Sequence, residues 1–133
     1  MVDFGYDISD FRNIYPTFGT IKDLEDLIQE AHKVGIKVLL DFIPNHTSDQ
    51  HEWFKKSLEG IKPYSDYYIW HPRKVLENGT RVPPSNWVSI FGGSMWTWRD
   101  ERKAYYLHQF SKEQPDLDYF NPQVVQEMHA SIV

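Results

Sequence analysis

The chain has 133 residues, a formal net charge of -5 and no cysteine. Because 14 Lys and Arg face 19 Asp and Glu, nucleic acid and anionic membrane surfaces are poor candidate partners. Without cysteine, disulfides, thiolate catalysis and cysteine-ligated zinc are excluded. No apolar run approaches the ~20 residues of a membrane span, and the first residues lack the basic and apolar regions of a signal peptide.

The first regular element is predicted to follow Thr20. Apolar residues recur at helical spacing from Ile21 onward, and Thr20 offers an N-cap with Asp23 three residues later. Gly35 is the expected C-terminal stop. We therefore predict a helix over about residues 21–32.

An almost unbroken apolar run follows at residues 38–43 and ends at Pro44. It is too short for a helix and rich in strand-forming residues, so it predicts a parallel strand buried on both faces. Asp41 lies near its end, and Asn45 and His46 follow it. Polar groups at the carboxyl end of such a strand are typical of a ligand crevice. Equally, Asp41 and His46 are explained as core polar groups that bond to neighbouring backbone.

The region from Thr47 to Asn121 has no long periodic segment, and an irregular insertion of this length is usually functional. Within it we predict a short helix over residues 51–58 capped by Ser48 or Asp49, a two-residue hairpin turn at Asn78-Gly79, and a second hairpin between Trp96 and Phe110. The next helix is predicted to begin at Asn121-Pro122, with Val124, Val125 and Met128 on its inner face.

Aromatic side chains are concentrated in this irregular region and make up 16% of the whole chain. Their flat apolar faces suit sugar rings, although they would serve equally as the core of a sheet-poor subdomain. His46, Asp49 and His51 could suggest a metal, but no recognised metal-binding motif supports that reading. Asn78 begins an N-glycosylation sequon in a predicted exposed turn.

The predicted parallel strand has no partner in the sequence. A lone strand leaves backbone groups unpaired on both edges, and no second buried apolar strand is present. We therefore expect the 133 residues to be an excerpt of a larger domain.

Five motifs occur in order along the chain: Asp3-Phe-Gly-Tyr-Asp-Ile-Ser-Asp10, Asp41-Phe-Ile-Pro-Asn-His46-Thr-Ser-Asp, Asp66-Tyr-Tyr-Ile-Trp70, Pro84-Ser-Asn-Trp87 and Gln114-Pro-Asp-Leu-Asp118. Together they resemble the α-glucosidase (maltase) branch of the α-amylase family, glycoside hydrolase family 13, and its insect-type maltases in particular. Asp118 departs from the pattern, since this branch usually has Asn there. The resemblance implies an α/β fold, part of a (β/α)8 TIM barrel. Residues 1–43 would hold the loop after strand 2, helix 2 and strand 3; residues 44–120 the inserted B domain; and residues 121–133 the start of helix 3.

The same resemblance implies roles for six residues. Asp3 is similar to the acid that hydrogen-bonds the terminal glucose, Tyr6 to the ring that stacks on that sugar, His46 to an imidazole that donates to a sugar hydroxyl, Phe91 to an aromatic wall, Gln114 to a pocket-shaping residue and Asp41 to an acid that orients an active-site arginine. The family chemistry is retaining, with a nucleophile and an acid/base ~5 Å apart. Both would follow later strands, beyond Val133, so no catalytic residue is expected in this chain.

The leading hypothesis is therefore a fragment of a retaining exo-α-glucosidase acting on small oligosaccharides or disaccharides such as maltose or sucrose. The rest of the barrel would be required, and the parent protein would be secreted or membrane-anchored and extracellular. No cofactor is expected; calcium occurs in the family, but apart from Asn45 its ligands are not recognisable here. The alternative is the ectodomain of a non-catalytic amino-acid transporter heavy subunit, and a weaker one is a carbohydrate-binding module.

Overall fold

The computed structural model describes residues 2–132, and their contacts divide the chain into two units. One unit comprises the residues up to Ser9 together with those from Pro44 onward, and the other is Asp10–Ile43.

The Asp10–Ile43 unit contains helix α1, Ile21–Lys33, preceded by a 3-10 turn at Pro16–Phe18. The predicted capping box is present: Thr20 Oγ accepts from the Asp23 amide at 3.3 Å, and the Asp23 carboxylate accepts from the Thr20 amide at 2.7 Å. Gly35 follows the helix with a φ of +80°, which glycine adopts without steric cost. The predicted helix is confirmed to within one residue at its C-terminal end.

Residues 38–43 form no strand, which differs from the prediction. Leu39 is 94% exposed and Leu40 is 62% exposed. A strand is stabilised by backbone partners on its edges, and none of residues 2–132 supplies one. Asp41, predicted near the end of a buried strand, is accordingly exposed.

The larger unit contains two small antiparallel sheets and two short helices. The elements are α2 (Glu52–Leu58), β1 (Trp70–Pro72), β2 (Lys74–Val75), β3 (Arg81–Val82), β4 (Trp96–Arg99), β5 (Ala104–Leu107) and α3 (Pro122–His129), with a 3-10 turn at Tyr64–Asp66. The three-stranded sheet has the order β1-β5-β4, with Trp70 of β1 opposite Tyr106 of β5 and Trp98 of β4 opposite Tyr105. A two-stranded hairpin pairs β2 with β3.

The core of this unit is aromatic. Phe54 on α2 is fully buried, and its ring lies 5.1 Å from those of Tyr68 and Tyr106 and is stacked at 5.7 Å on Trp70. Edge-to-face and offset contacts of this kind add to the stabilisation that large buried rings provide. These four rings of the irregular region therefore hold the unit together.

Arg102 joins the sheet to α2 and the 3-10 turn. Its guanidinium donates to the carbonyl of Ser57 and, at 2.8 Å, to that of Ser65, and it lies 4.6 Å over the ring of Trp70. Burial lowers the pKa of Arg102, since removing the cation from water disfavours its charged form. The Arg102 side chain therefore links α2, the 3-10 turn and the sheet through hydrogen bonds and a ring contact.

Two local predictions, a helix cap and the length of a hairpin loop, need correction. Helix α2 is capped by His51, whose Nδ1 accepts from the Trp53 amide at 3.1 Å, and not by Ser48 or Asp49, because the chain becomes helical only at residue 52. The hairpin at Asn78-Gly79 is confirmed, but its loop has three residues: the Leu76 amide donates to the Thr80 carbonyl at 2.9 Å, and Gly79 takes the left-handed position.

Helix α3 begins at Pro122, and its first turn is capped by the Asn121 side chain, as predicted. Val124 and Met128 are buried, whereas Val125 is 38% exposed, because it lies about 100° around the helix from Val124. In the described part of the chain no helix combines the length and apolarity that a membrane crossing requires.

Candidate functional site

The candidate site is formed where three distant segments of the larger unit meet. Gln114 Nε2 donates to the Asp3 carboxylate at 2.9 Å, and His46 Nε2 lies 2.9 Å from the Tyr6 carbonyl oxygen. The backbone reinforces the contact, since the Ser48 amide donates to the Ile8 carbonyl at 2.8 Å. Four of the residues with predicted roles in sugar binding are thus within one hydrogen-bonded cluster.

A tight turn positions Asp3 and Tyr6. The Tyr6 amide donates to the Asp3 carbonyl at 2.8 Å, and the buried Asp7 carboxylate accepts from the amides of Val2 and Asp3 at 2.7 and 3.2 Å. Phe4, at the tip of this turn, has a φ of +48°, which is uncommon outside glycine. Sequence reasoning gave Asp7 no role, because its partners are backbone amides that no side-chain pattern marks.

The hydrogen bonds of His46 define its tautomer. A carbonyl oxygen can only accept, so Nε2 carries the proton and donates to Tyr6, while Nδ1 accepts from Asn45 Nδ2 at 3.2 Å. The imidazole is 3% exposed. Both nitrogens are therefore satisfied within the chain, as expected if His46 is a core polar group bonded to backbone.

Asp116 anchors this arrangement, and it was not predicted as a site residue. Its carboxylate is 1% exposed and accepts from Asn45 Nδ2 at 3.1 Å, from Gln109 Nε2 at 2.7 Å and from the Gln109 amide at 3.2 Å. Burial raises the pKa of Asp116, although these donors oppose the shift. Its place in the motif after Gln114 was the only sequence signal.

Gln114 is fully buried and links the two halves of the cluster. Its Oε1 accepts from the Ser111 amide at 3.1 Å, which leaves the Nε2 group directed at Asp3. A buried amide bonded at both ends has a fixed orientation, so the Asp3 carboxylate is held in place.

Aromatic rings continue the cluster outward from His46. Phe110 lies 5.5 Å from the His46 ring and 6.2 Å from Phe91, by centroid distances. Phe91 is 63% exposed and Tyr6 is 46% exposed, so both present ring surface to a ligand. Phe110 was missed by sequence reasoning, which treated it as the end of a hairpin. Asp41 belongs to the Asp10–Ile43 unit, whereas the cluster is built within the larger unit.

The cluster offers hydrogen-bonding groups rather than metal ligands. Asn45 Oδ1 accepts from Gln109 Nε2 at 3.3 Å, and His51 Nδ1 is used as a helix cap. Across residues 2–132, no three His, Asp or Glu side chains are grouped so that they could hold a metal ion. The arrangement can bind hydroxyl groups through Asp3 and stack sugar rings through its exposed aromatics.

The chain is similar in sequence to known proteins along almost its whole length. The family model for the alpha amylase catalytic domain matches residues 1–133. The chain is 64% identical over 128 residues to an alpha-glucosidase of Apis mellifera, covering 96% of this chain and 22% of that protein. It is 51% identical over 126 residues to the amino acid transporter heavy chain SLC3A1 of Rattus norvegicus, covering 95% of this chain and 18% of that protein.

A solved structure gives the same picture. The trehalose-6-phosphate hydrolase of Bacillus licheniformis superposes with a TM-score of 0.90 at 44% identity, over 99% of this chain and 23% of that one. The chain thus spans about a fifth of the length of the curated relatives and about a quarter of this structure.

Proposed function

Because the chain belongs to the α-amylase family of TIM-barrel glycoside hydrolases, we propose that it forms part of the glucose-binding subsite of a retaining exo-α-glucosidase. Asp3 would hydrogen-bond the hydroxyls of the terminal sugar, and Tyr6 and Phe91 would contact its ring faces. We assign residues 1–43 to the barrel, 44–120 to the B domain and 121–133 to the start of barrel helix 3. The nucleophile and acid/base would come from later strands of the barrel.

One observation carries the proposal: Gln114 fixes the Asp3 carboxylate across 111 residues of sequence. Bringing two such distant residues together costs conformational entropy, because a long loop must be closed. An acid that only solvates the surface would not require such a partner. The carboxylate is also half-buried rather than freely solvated. Fixed geometry of this kind is what recognition of a sugar hydroxyl requires.

His46 enters the proposal with a modified role. Its Nε2 proton, which the family resemblance assigns to a sugar hydroxyl, is bonded to the Tyr6 carbonyl. We therefore assign His46 first to holding the Tyr6 turn, with the sugar hydroxyl as a second acceptor of the same proton. In either role the imidazole acts through its donor on Nε2.

The test uses the full-length protein with maltose as substrate. Asp3→Asn and His46→Ala should each lower kcat/KM by an amount equivalent to roughly 2–4 kcal/mol, as for loss of a preorganised hydrogen-bonding group. His46→Gln, which can return an amide donor near Nε2, should recover part of the loss. Asp26→Asn on α1 is the matched control, because Asp26 is an exposed acid outside the cluster. Unchanged kcat/KM in both Asp3→Asn and His46→Ala would refute the subsite.

The 51% identity to a transporter heavy chain supports a second candidate function, the ectodomain of such a subunit. A non-catalytic ectodomain would keep this fold without hydrolysing glucosides. Maltose hydrolysis by the full-length protein, abolished when the acid after the fourth barrel strand is changed, would exclude it. For the 133 residues alone we predict no hydrolysis of a chromogenic glucoside.

Asn78 supports placing the parent protein outside the cell. The sequon lies in an exposed three-residue loop, where Asn78 Oδ1 accepts from the Thr80 amide at 2.9 Å. Glycosylation would require secretion. A mass loss on treatment with a peptide N-glycosidase, absent in Asn78→Gln, is the expected result; an unchanged mass would contradict it.

A further inference from the structure

A concave surface lies on the larger unit, apart from the cluster around His46. It is a groove of about 870 Å³ between the β2–β3 hairpin and the neighbouring sheet. This volume is within the range of small-ligand sites. Its lining residues are Pro72, Arg73, Val75, Arg81, Trp98, Asp100, Lys103 and Tyr105.

The charge of the groove is opposite to that of the chain. Three of its lining side chains are cations and one, Asp100, is an acid, whereas the chain carries a net charge of -5. Asp100 is already engaged: its Oδ1 accepts from Trp98 Nε1 at 3.1 Å and from Lys103 Nζ at 3.2 Å. The charge of Asp100 is paired with that of Lys103, so Arg73 and Arg81 are the excess cations of the groove.

Arg73 and Arg81 are the unusual members of the lining. Among the described residues, neither guanidinium has a hydrogen bond or an ion pair, in contrast with Arg99 and Arg102, which both have protein partners. A guanidinium presents a planar fork of donors that matches sulfate, phosphate and carboxylate oxygens. Two such forks in one groove favour an oxyanion as ligand.

The groove also presents a flat apolar surface. Trp98 and Tyr105 face each other across strands β4 and β5, with ring centroids 5.0 Å apart and planes inclined by 66°. Both are partly exposed. Rings beside charged donors suit a ligand that carries its charge on a ring with an apolar face, as acidic sugars do.

We propose that this groove is an accessory site for an anionic saccharide, in which Arg73 and Arg81 bind the sulfate or carboxylate groups and Trp98 and Tyr105 contact the sugar ring. The site does not depend on the glucose subsite proposed above, since the two clusters share no residue. It would bind an anionic carbohydrate without cleaving it.

The experiment measures binding to the full-length protein by isothermal titration calorimetry. The probes are a sulfated heparin-derived tetrasaccharide, an oligogalacturonate that carries carboxylates, neutral cellobiose and inorganic sulfate. We expect at least one acidic saccharide to bind at least tenfold more tightly than cellobiose or sulfate. The sulfated and carboxylated probes separate the two sources of the oxyanion.

Variants connect the binding to the groove. Arg73→Gln and Arg81→Gln should each weaken binding about tenfold, the loss expected for one charge-assisted pair, and the double variant should weaken it further. Lys55→Gln removes the same charge from α2 and should change affinity less than twofold. Maltose hydrolysis and Tm should be unchanged in all four variants. These two measurements serve as the control that the fold is intact.

Three results would overturn the proposal. The first is no acidic-saccharide binding at millimolar concentration, and the second is equal binding by the wild type and the double arginine variant. The third is equal affinity for cellobiose or for a Glu-rich peptide, which is titrated as a fifth probe. A peptide that binds as well as the saccharide would assign the groove to an acidic protein partner instead.

Discussion

The two units of this chain bury their apolar side chains to very different extents. In the larger unit, Phe54 and Val124 are fully buried and Tyr106 is 2% exposed. In the Asp10–Ile43 unit no large apolar residue is buried, and Leu27 on α1 is 61% exposed although the helix has a well-defined apolar stripe. The larger unit therefore has its own core, whereas the smaller one presents a face that packing would have to cover.

The two units are stabilised by different kinds of interaction, local in one and between distant residues in the other. Helix α1 forms from local interactions, namely its capping box and ion pairs such as Lys22–Asp26. The larger unit forms from contacts between residues far apart in sequence, such as Phe54 with Tyr106. Residues 38–43 have strong strand propensity but neither source of support, and they remain unpaired.

The largest expected effect comes from removing a core ring. Phe54→Ala should lower the free energy of unfolding by about 3–5 kcal/mol, because it leaves a cavity among Tyr68, Trp70 and Tyr106. Leu39→Ala is the matched change in the other unit. In the 133-residue chain it should cost less than about 0.5 kcal/mol, since Leu39 is exposed.

In the full-length protein the same Leu39→Ala change should cost about 2–5 kcal/mol, because a barrel would bury this residue. Urea denaturation of both proteins checks the comparison. A cost of several kcal/mol in the 133-residue chain, or none in the full-length protein, would show that the two units do not differ as described.

The next largest loss of stability is expected for substitution of Arg102. Arg102→Met keeps the apolar stem but removes the donors to the Ser57 and Ser65 carbonyls, so we expect a loss of about 3 kcal/mol. Arg99, which pairs with exposed Glu101, provides the control: Arg99→Met should cost less than about 1 kcal/mol. Equal costs would refute the joining role of Arg102. Thermal denaturation distinguishes the two variants.

A smaller, pH-dependent effect is expected at Asp116. Asp116→Asn should cost about 2 kcal/mol, because the amide replaces one of the oxygens that accept from Gln109 and Asn45. Burial raises the folded-state pKa of Asp116 above its unfolded value, so the wild type loses stability as pH rises through the folded pKa. The cost of the substitution should therefore be largest near the unfolded pKa of 3.8 and smaller at pH 7.

Denaturant unfolding of both proteins between pH 4 and 8 measures that trend. Asp118→Asn serves as a control for the same chemical change two positions along. A cost that grows with pH would mean that the folded-state pKa of Asp116 is lowered instead.

The smallest effect is expected at the start of α1. Thr20→Ala removes one half of the capping box and should destabilise the helix by about 1 kcal/mol. Circular dichroism of the 133-residue chain should show reduced helicity, and Thr20→Ser should retain it. No residue of α1 is buried, so packing cannot compensate for the lost cap. Unchanged helicity in Thr20→Ala would show that this cap does not stabilise the helix.

Sequence reasoning succeeded where the determinants were local. The capping box at Thr20, the glycine at position 79 and the Asn121-Pro122 pair each specify a helix end or turn within a few residues. The resemblance likewise predicted the family and the fold, because each motif that carries it is a continuous stretch of sequence. Neither the His51 cap nor the third residue of the hairpin loop was predicted, because each depends on where the backbone leaves its regular conformation.

The parts that could not be predicted depend on distant contacts. Arg102 and Asp116 have ordinary surroundings in the sequence, and their importance depends on distant partners: Ser65 is 37 residues from Arg102, and Asn45 is 71 residues from Asp116. Phe110 was assigned to a strand, yet its ring lies between His46 and Phe91. The roles assigned to Asp3, Tyr6 and Phe91 in sugar binding stay predictions until the variants are measured.

The bond between Asp3 and Gln114 also has a consequence for biosynthesis. The two residues are separated by 111 positions, so the carboxylate has no amide partner until the ribosome has translated most of the region described. At typical rates of synthesis that interval lasts roughly 5–20 s. During this time the turn that carries Asp3 lacks its side-chain partner, so the fixed orientation of the carboxylate depends on synthesis of the chain as far as Gln114.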